Sequence, residues 1–431
     1  MKILILGEIN LDVTSKYFFQ TFLSIFSYRS LITEDYLSSI TPKDHTVEVL
    51  KTNTKLDYNE EYDVIVILFK TSAAPRAYEV ADKYRKNGKI VILSGTHPSA
   101  LPNEAKKHAD SIIIGSIEKL WPFVLKDLEN NKLKPFYKSK DYKCRFEEYK
   151  PKKFSSTGFK IVSPIEATYG CPEKCDFCQY SNIPDGSKFY TRPFDEVISE
   201  IKSTPQKILY FKDLSLTTNP NYAKKLFKAM QGLNKKFNCH GNVNVLARDE
   251  ELVRLSHEAG CIEWIVGFES FSQKTLNNAH KRANKLEYYD KAVRNIHKNK
   301  MAIIGTFVFG FDEDTTDVFE ATKESIDELG LDGAIFAVLT PYPGTPIFKR
   351  LDSEGRILTY DWYKYNRKNI VFEPKNMTKE ELEKGYRELT RKYNSPLRVT
   401  CRVIRGLKYG FFPGLATFAG NLGSYMASIN R

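Results

Sequence analysis

Short runs of β-branched and leucine residues open the chain, separated by segments with helical periodicity. The runs cover residues 3–6, 64–68, 90–93 and 112–114. Continuous apolar runs of this length predict strands that are buried on both faces, as in a parallel sheet. Apolar spacing also predicts helices over 74–86 and 103–107. The alternation therefore predicts a doubly wound, Rossmann-like α/β domain over residues 1–127.

A second region of alternating strands and helices spans residues 158–345. Its candidate strands are six apolar runs, at residues 161–167, 208–211, 241–246, 262–267, 303–309 and 334–339. Six consecutive strand–helix units predict a partial (β/α)6 barrel, whose chemistry lies at the carboxyl ends of its strands. A polar stretch without periodicity, residues 128–157, separates the two regions and is interpreted as a linker.

The last region, residues 346–431, is predicted to form a helical cap with a basic, apolar tail. Four basic residues recur at helical spacing beside an apolar face: Arg398, Arg402, Arg405 and Lys408. This pattern is typical of a basic amphipathic helix. Residues 409–430 carry no charge, but their glycines and one proline disfavour a membrane span. Two interpretations stay open: an interfacial segment beside an acyl-chain substrate or a membrane, and a terminal helix packed on the barrel.

Composition bears on the compartment more than on the fold. The apolar fraction of 42% is ordinary for a globular chain, and the formal net charge is +12. The charge favours an anionic partner, but a lysine-rich proteome explains it equally well, and no nucleic acid is expected. Seven cysteines, an odd number, and the absence of a secretory signal predict that the protein is located in the reducing cytoplasm. A peripheral contact with the inner face of the membrane is compatible with that location.

Three of the seven cysteines, Cys171, Cys175 and Cys178, fall within one short stretch after the first predicted barrel strand. A tetrahedral zinc site usually takes four ligands from paired arms, and no second arm follows here. A cubane iron–sulfur cluster normally takes four thiolates, so three would leave one iron open to a ligand. The alternatives are three cysteines that are close by coincidence, and a structural zinc completed by a distant Cys or His.

The spacing Cys-x-x-x-Cys-x-aromatic-Cys after Gly170 resembles the signature of the radical S-adenosylmethionine (SAM) enzymes. The resemblance implies a [4Fe–4S] cluster on Cys171, Cys175 and Cys178, whose open iron binds SAM. It also implies reductive release of a 5′-deoxyadenosyl radical, with an electron donor such as flavodoxin or ferredoxin.

Other motifs at the predicted strand ends resemble the same family. Phe211-Lys-Asp, Gly267-Phe-Glu-Ser and Phe307-Val-Phe-Gly follow the second, fourth and fifth strands. By this resemblance the residues that surround SAM are Phe177, Asp213, Asn219, Glu269, Ser270 and Gly310. Lys281 and Arg192 contact SAM or an anionic substrate group in one interpretation, and form structural salt bridges in the other.

The segment Gly95-Thr-His-Pro-Ser-Ala-Leu-Pro resembles one found in cobalamin-binding domains fused in front of radical SAM cores. The resemblance implies cobalamin at the strand ends of the first domain, near Thr71, Ser72, Gly95, His97 and Gly115. Two features depart from the pattern. The Asp-x-His-x-x-Gly motif is absent, and Ser94 stands where a second glycine is usual. His97 is either a cobalt ligand or a residue that structures the loop.

Residues 341–348, Pro-Tyr-Pro-Gly-Thr-Pro-Ile-Phe, resemble a subgroup of cobalamin-type radical enzymes that includes lipid-modifying members. The resemblance implies methylation, or another carbon–carbon bond formation, at an unactivated carbon of a hydrophobic, lipid-like substrate. Methylcobalamin would donate the methyl group and a second SAM would restore it. The alternatives are a radical SAM oxidoreductase or cyclase without cobalamin, and an RNA- or protein-binding module with a vestigial cluster.

Overall fold

A computed structural model describes residues 1–7, 32–50, 56–141 and 161–429. In these ranges the first region has six strands: β1 (Lys2–Leu6), β2 (Thr46–Val49), β3 (Val64–Leu68), β4 (Ile90–Ser94), β5 (Ser111–Ile114) and β6 (Phe136–Lys138). Its helices are α1 (Ile32–Ile40), α2 (Ala74–Lys86), α3 (Thr96–Ala100), α4 (Pro102–Ala105) and α5 (Ile117–Glu129). The strands form one parallel sheet in the order β2-β1-β3-β4-β5-β6.

The four predicted strands of this region are present, and both faces of the sheet are covered. Apolar residues of β3 alternate between two separate cores, one on each side. The structure adds β2 and β6, which the apolar runs missed. In β2 the residues alternate between exposed and half-buried, as on a sheet edge. The strand β6 extends this sheet to residue 138, inside the segment interpreted as a linker.

The second region forms a curved parallel sheet of six strands with helices between them. Its strands are β7 (Val162–Ile165), β10 (Ile208–Phe211), β11 (Lys236–Gly241), β12 (Cys261–Glu269), β13 (Ala302–Phe309) and β14 (Gly333–Val338). The order is β14-β13-β12-β11-β10-β7, all parallel. A short antiparallel ribbon of β8 (Thr168–Tyr169) and β9 (Tyr190–Thr191) follows β7. The predicted partial (β/α)6 barrel is confirmed.

The helices of this region begin and end at the following residues: α6 (Gln179–Asn182), α7 (Phe194–Ser203), α8 (Pro220–Met230), α9 (Val243–Arg248), α10 (Glu250–Glu258), α11 (Gln273–Asn278), α12 (Tyr289–Lys298) and α13 (Val318–Leu329). The prediction of a strand over 241–246 was wrong, because β11 ends at Gly241 and α9 occupies most of that stretch. The apolar run Val243–Ala247 instead supplies the buried side of a short helix.

Each barrel strand directs alternate side chains to opposite faces of the sheet. Trp264, Val266 and Phe268 of β12 lie in the large core between the sheet and its helices. Residues 263, 265 and 267 therefore face the inner side of the curve. We call that inner space the lumen.

The C-terminal region is helical, as predicted, with α14 (Pro346–Ser353), α15 (Lys379–Tyr393), α16 (Pro396–Lys408) and α17 (Phe411–Ile429). The Thr378 hydroxyl accepts from the Glu381 N–H and the Glu381 carboxylate accepts in return, a capping box that begins α15. Asn421 of α17 donates to the Asp332 carbonyl at the start of β14. This helix therefore closes the lumen at the amino ends of the strands. No helix in the described part of the chain is long and apolar enough to cross a membrane.

Candidate active site

The three cysteines lie on one loop at the carboxyl ends of the barrel strands. The loop follows β8, and its last cysteine, Cys178, directly precedes α6. The Cys171 N–H donates to the Gly186 carbonyl at 2.9 Å. The Asn182 side-chain amide donates to the carbonyls of Cys175 and Cys178, at 2.9 and 2.7 Å. These bonds hold the loop backbone in place and leave the thiols available for ligands.

Gly170 makes the entry into this loop possible. Its φ is +78°, and a Cβ there would lie 1.9 Å from the Lys188 carbonyl oxygen. Any other residue would therefore be strained and would collide with backbone. The close approach of residues 170 and 188 brings the two sides of the loop together beside the cysteines.

The thiols suit a multi-iron cluster better than a single ion. Burial raises the pKa of Cys175 to about 12, and burial also raises the pKa of Cys171. Such thiols ionise readily only when a metal replaces the lost solvation. Thiolates on one zinc lie about 4 Å apart. Within the described ranges, the one set of three ligating groups within 4.8 Å of one another is Asp44, His45 and Glu129, so the cysteines are spread more widely.

A buried ion pair lies beside the cysteines. Glu269 ends β12 with a left-handed φ of +67°, and its Oε1 lies 3.2 Å from Lys281 Nζ. Burial acts to lower the pKa of Lys281, but Glu269 and Cys175 outweigh that effect, so the pKa of this ammonium is raised. Gly267 leaves room for the pair, since a Cβ there would lie 2.4 Å from Glu269 Oε1. A fixed cation and carboxylate thus lie together at this strand end.

Two of the residues expected around SAM are engaged in supporting the loops. Asp213 is buried and accepts hydrogen bonds from the N–H groups of Ala167 and Thr168 and from the Thr168 hydroxyl. Desolvation, opposed by these bonds, raises the pKa of Asp213 to about 6. Asn219 accepts from the Tyr222 N–H and caps α8. In this geometry both side chains hold backbone near the site.

The other expected residues line the same edge. Phe177 packs edge-on against Phe311, with ring centroids 5.6 Å apart. Ser270 is buried directly after Glu269, and its hydroxyl accepts from the Ser272 N–H. Gly310 directly follows β13 with a φ of +102°, and its N–H donates to Asp314 at 2.9 Å. The structure therefore brings the cysteine loop and the ends of β12 and β13 to one edge of the barrel.

The strand ends of the first domain meet the cysteine loop directly. Gln179, the residue after Cys178, donates to the Thr71 hydroxyl at 2.9 Å and accepts from the Thr96 hydroxyl at 3.0 Å. All three side chains are buried. A Cβ on Gly115 would lie 3.1 Å from the Pro184 carbonyl, so that strand end also abuts the segment after α6. The carboxyl edges of the two sheets therefore face each other.

Ser72 and Gly95 lie at the same carboxyl edge of the first sheet. Ser72 is half-buried in the single turn that follows β3. Gly95 has a φ of +117°, and a Cβ there would lie 2.2 Å from the Phe69 carbonyl oxygen. This loop therefore packs against the neighbouring strand end with no space for a side chain.

His97 lies in a closed aromatic environment. Its side chain is fully buried, and Nε2 lies 3.1 Å from Glu104 Oε1. The Trp362 indole also donates to Glu104, at 3.1 Å. Nδ1 of His97 has no hydrogen-bond partner among the described residues. Of the two interpretations of His97, this geometry favours the structural one, because the ring joins α3 to the C-terminal region.

Sequence reasoning missed several polar residues of this site. Glu166, which follows β7, has its pKa raised to about 7 by burial. Tyr210 and His240 share a hydrogen bond of 2.8 Å on neighbouring strands. For Gln179 the available signal was its place directly after Cys178. For Tyr210 and His240 the available signal was their alternation with buried apolar residues along the chain. A polar residue that alternates with buried apolar residues faces either solvent or a cavity.

Comparisons with known proteins agree with this arrangement. The model of the radical SAM superfamily matches residues 165–326. Bacteriochlorophyllide d C-12(1)-methyltransferase of Chlorobaculum tepidum is 33% identical, over 77% of this chain and 74% of its own length. Bacteriochlorophyllide d C-8(2)-methyltransferase of the same organism is 32% identical, over 78% of this chain and 79% of its own length.

One solved structure is similar over almost the entire chain. It is the radical S-adenosylmethionine methyltransferase TsrM from Kitasatospora setae with cobalamin and a [4Fe–4S] cluster bound. The TM-score is 0.71 at 12% identity, and the match covers 99% of each chain. At that identity the likeness concerns the fold, which in both proteins joins an α/β domain to a partial barrel.

Proposed function

Because the chain belongs to the radical SAM superfamily, in its group of methyltransferases with a cobalamin-type domain before the core, we propose that it methylates an unactivated carbon of a hydrophobic small molecule. The observation that carries the proposal is the bridge from Gln179 to Thr71 and Thr96. It holds the cysteine loop against the strand ends where an α/β domain of this type binds its ligand. Two cofactors bound at these edges would share one reaction space.

The residues of each edge fit the cofactor proposed for it. Three thiols from one loop, of which Cys175 is buried and Cys171 and Cys178 are half-buried, suit a [4Fe–4S] cluster with one open iron. Glu269 and Lys281 carry the opposite charges that would pair with the amino and carboxylate groups of SAM. Small residues, Ser72, Gly95 and Gly115, follow the ends of β3, β4 and β5, where an α/β domain of this type binds its ligand. When bound, these groups supply a carbon-centred radical and a transferable methyl group, which no side chain can supply.

The protein itself contributes orientation and exclusion of water. The lumen holds the substrate below the cysteine loop, and its walls include Val308 of β13 and Ile335 of β14, which is 43% exposed. An apolar wall favours a hydrophobic substrate and protects a radical from water. We propose a lipid-like or tetrapyrrole-sized molecule, the latter because the two relatives act on bacteriochlorophyllide d.

The proposal is tested with anaerobically purified, iron-reconstituted protein supplied with cobalamin, SAM and a reductant. We expect a brown protein that retains cobalamin and forms 5′-deoxyadenosine. The Cys175→Ala variant should lose both iron and product, whereas Cys401→Ala, which changes an exposed cysteine, should lose neither. Cleavage of SAM without retained cobalamin would favour a radical SAM oxidoreductase or cyclase instead. Comparing host lipids and pigments with and without the gene by mass spectrometry would identify the methylated product.

Two external contacts belong to the same proposal. An acidic electron donor such as flavodoxin or ferredoxin suits a chain with a net charge of +12. A peripheral membrane contact is supported by an apolar stripe on the C-terminal helices. Leu397 and Ile404 of α16 and Phe411 of α17 are 75%, 55% and 70% exposed. Exposed large apolar residues at helical spacing are typical of interfacial helices.

The basic residues of this helix do not form the free charged face that the sequence pattern suggested. Arg402 is buried and donates to Asn421 at 2.7 Å. Arg398 pairs with Asp327, and Arg405 lies 3.5 Å from Asp332. These arginines attach α16 to the barrel, so the apolar side faces outward. The face that carries the arginines therefore packs on the barrel, as in the interpretation of a terminal helix, and the outward apolar face supports the proposal of an interfacial segment.

A further inference from the structure

Polar side chains cross the lumen wall along one line of strand register, which on β12 lies six residues before the end of the strand at Glu269. Tyr210 of β10 is the register partner of Asn238 of β11, and Asn238 is the partner of Glu263 of β12. Their sequence neighbours Leu209, Phe237 and Trp264 lie in the outer core. By strand alternation the three polar side chains therefore point into the lumen. We call Tyr210, Asn238 and Glu263 the polar row.

His240 extends this group upward by one position on the same face of β11. Its Nε2 lies 2.8 Å from the Tyr210 hydroxyl. Desolvation lowers the pKa of His240 to about 4, so the ring is neutral at physiological pH. Both side chains retain part of their surface, so the lumen is open at this point. The pair thus offers hydrogen bonds without a net charge.

Glu263 is the member of the polar row that has an unused hydrogen-bonding atom. Its Oε1 accepts from the Asn238 amide at 3.3 Å, and its Oε2 has no partner in the described part of the chain. The residue is 97% buried, being only 3% exposed. Burial, which outweighs the hydrogen bond from Asn238, raises the pKa of Glu263 to about 7, so a neutral carboxyl with a free O–H is well populated. A buried polar atom without a partner is costly, which points to a ligand atom there.

The surroundings define the shape of that ligand. Residues 263 and 269 of β12 are separated by about 20 Å of strand. The wall between them carries Ile265 and, on the neighbouring strands, Val308 and Ile335. Below, α17 closes the lumen, since a Cβ on Gly420 would lie 2.6 Å from the Ile304 side chain. A ligand that enters from the cysteine side would therefore extend down an apolar wall to the polar row.

We propose that the polar row and His240 bind the carbonyl group of the substrate, with Glu263 as the donor and the apolar body of the substrate reaching up to the cysteine loop. This assignment rests on the proposed function and narrows its substrate to elongated, carbonyl-bearing hydrophobic molecules. Glu263 acts as a specificity residue: a substrate without the carbonyl leaves the carboxyl unpaired and loses the binding contribution of one hydrogen bond.

The probe for this proposal is 2-undecanone labelled with 13C at the carbonyl, with n-undecane as the matched molecule that lacks the oxygen. Both are offered to the anaerobic holoenzyme with cluster, cobalamin and SAM. We expect the ketone to bind about tenfold more tightly than the hydrocarbon, the effect of one added hydrogen bond. The infrared carbonyl stretch of the bound ketone should move to lower frequency than in hexane. This measurement on the unaltered protein needs no variant to fold.

Two substitutions of Glu263 distinguish the effect of its hydrogen-bond donor from the effect of its side-chain volume. Glu263→Gln keeps a neutral donor of the same size and should bind the ketone within about threefold of the unaltered protein. Glu263→Leu removes the donor and should bind ketone and hydrocarbon equally. Glu258→Leu changes an exposed glutamate of α10 and is the matched control. Equal binding of ketone and hydrocarbon by the unaltered protein, or an unshifted stretch, would overturn the proposal.

The same preparations distinguish this failure from failure of the proposed function. Formation of 5′-deoxyadenosine by the unaltered holoenzyme tests the radical chemistry without the probe. If SAM is cleaved but binding of the ketone does not depend on Glu263, the proposed carbonyl site is wrong and the proposed function is retained. If no SAM is cleaved while the ketone binds through Glu263, the site stands and the function is wrong.

Discussion

Gln179 donates a hydrogen bond from its side-chain amide to the hydroxyl of Thr71, over 2.9 Å. The first residue directly follows Cys178, a proposed cluster ligand, and the second lies in the turn that follows β3 of the α/β domain. The bond therefore joins the two regions at the point where their proposed cofactors would meet. The residues were 108 positions apart in sequence, and both are buried.

Replacing Gln179 with Leu should loosen the first domain from the cysteine loop. The Thr71 and Thr96 hydroxyls would lose a buried partner, at a cost of about 1–3 kcal/mol. We expect the cobalamin content per protein to fall while the iron content stays the same, as measured by absorption and iron assay. Gln231→Leu, which breaks an exposed bond to Glu258, is the control. Unchanged cobalamin content and unfolding free energy would contradict this role.

Replacing Gly170 with Ala should prevent cluster incorporation. The new Cβ would meet the Lys188 carbonyl at 1.9 Å, and the backbone would need a φ of +78° that alanine rarely adopts. Gly232 is a closely matched control, since its φ is also +78° and a Cβ there meets nothing within 4 Å. Iron per protein after reconstitution is the measurement. Because both variants share the backbone strain, equal iron in the two would show that the close approach to Lys188 is unimportant.

Replacing Lys281 with Met should destabilise the protein by roughly 3–5 kcal/mol, because it leaves the Glu269 carboxylate buried without its partner. Adding Glu269→Gln should recover much of that stability, since no buried charge then remains unpaired. Urea unfolding of the single and double variants measures the effect. The double variant should still bind SAM more weakly than the unaltered protein, by isothermal titration. Normal SAM affinity in the double variant would restrict the pair to a structural role.

Replacing Leu397, Ile404 and Phe411 together with Ser should abolish binding to membranes. These side chains are exposed, so the fold should be retained, and removing three apolar groups removes the main contribution to interfacial binding. Sedimentation with phosphatidylglycerol–phosphatidylcholine vesicles measures the bound fraction. Leu358 and Tyr360, also exposed, are replaced with Ser in the control protein. Absence of vesicle binding by the unaltered protein would refute the membrane contact.

Much of the architecture followed from local pattern. Buried strands appear as short β-branched runs, and ten of them were predicted, with one misplaced: the stretch 241–246 is mainly helix α9. The strand β11 was missed because Lys236–Gly241 alternates polar and apolar residues. The edge strand β2 was missed for a similar reason, since half of its residues face solvent. Hydrophobic periodicity arises from burial, so the pattern is weakest where a strand lies at the edge of a sheet or lines a cavity.

The candidate site, like the fold, could be predicted from the sequence only in part. The cysteine motif could be recognised from the sequence because Cys171, Cys175 and Cys178 lie within eight residues of one loop. Asp213 and Asn219 were expected at the cofactor, and the structure has them bonded to Thr168 and Tyr222. A motif reports which residues lie near a site, but not which group their polar atoms bind. The direction of a side chain is decided by neighbours far away in the chain.

The sequence by itself determined the two α/β regions, the loop with its three cysteines and the helical C-terminal region, because each depends on spacing within one segment. Only the tertiary structure decided that Gln179 meets Thr71 and Thr96, that the arginines of α16 face the barrel, and that Tyr210, Asn238 and Glu263 lie level in the lumen. These relationships arise from the register of strands and the docking of whole domains. Such long-range packing is the sum of many weak contacts, and no single segment of sequence encodes it.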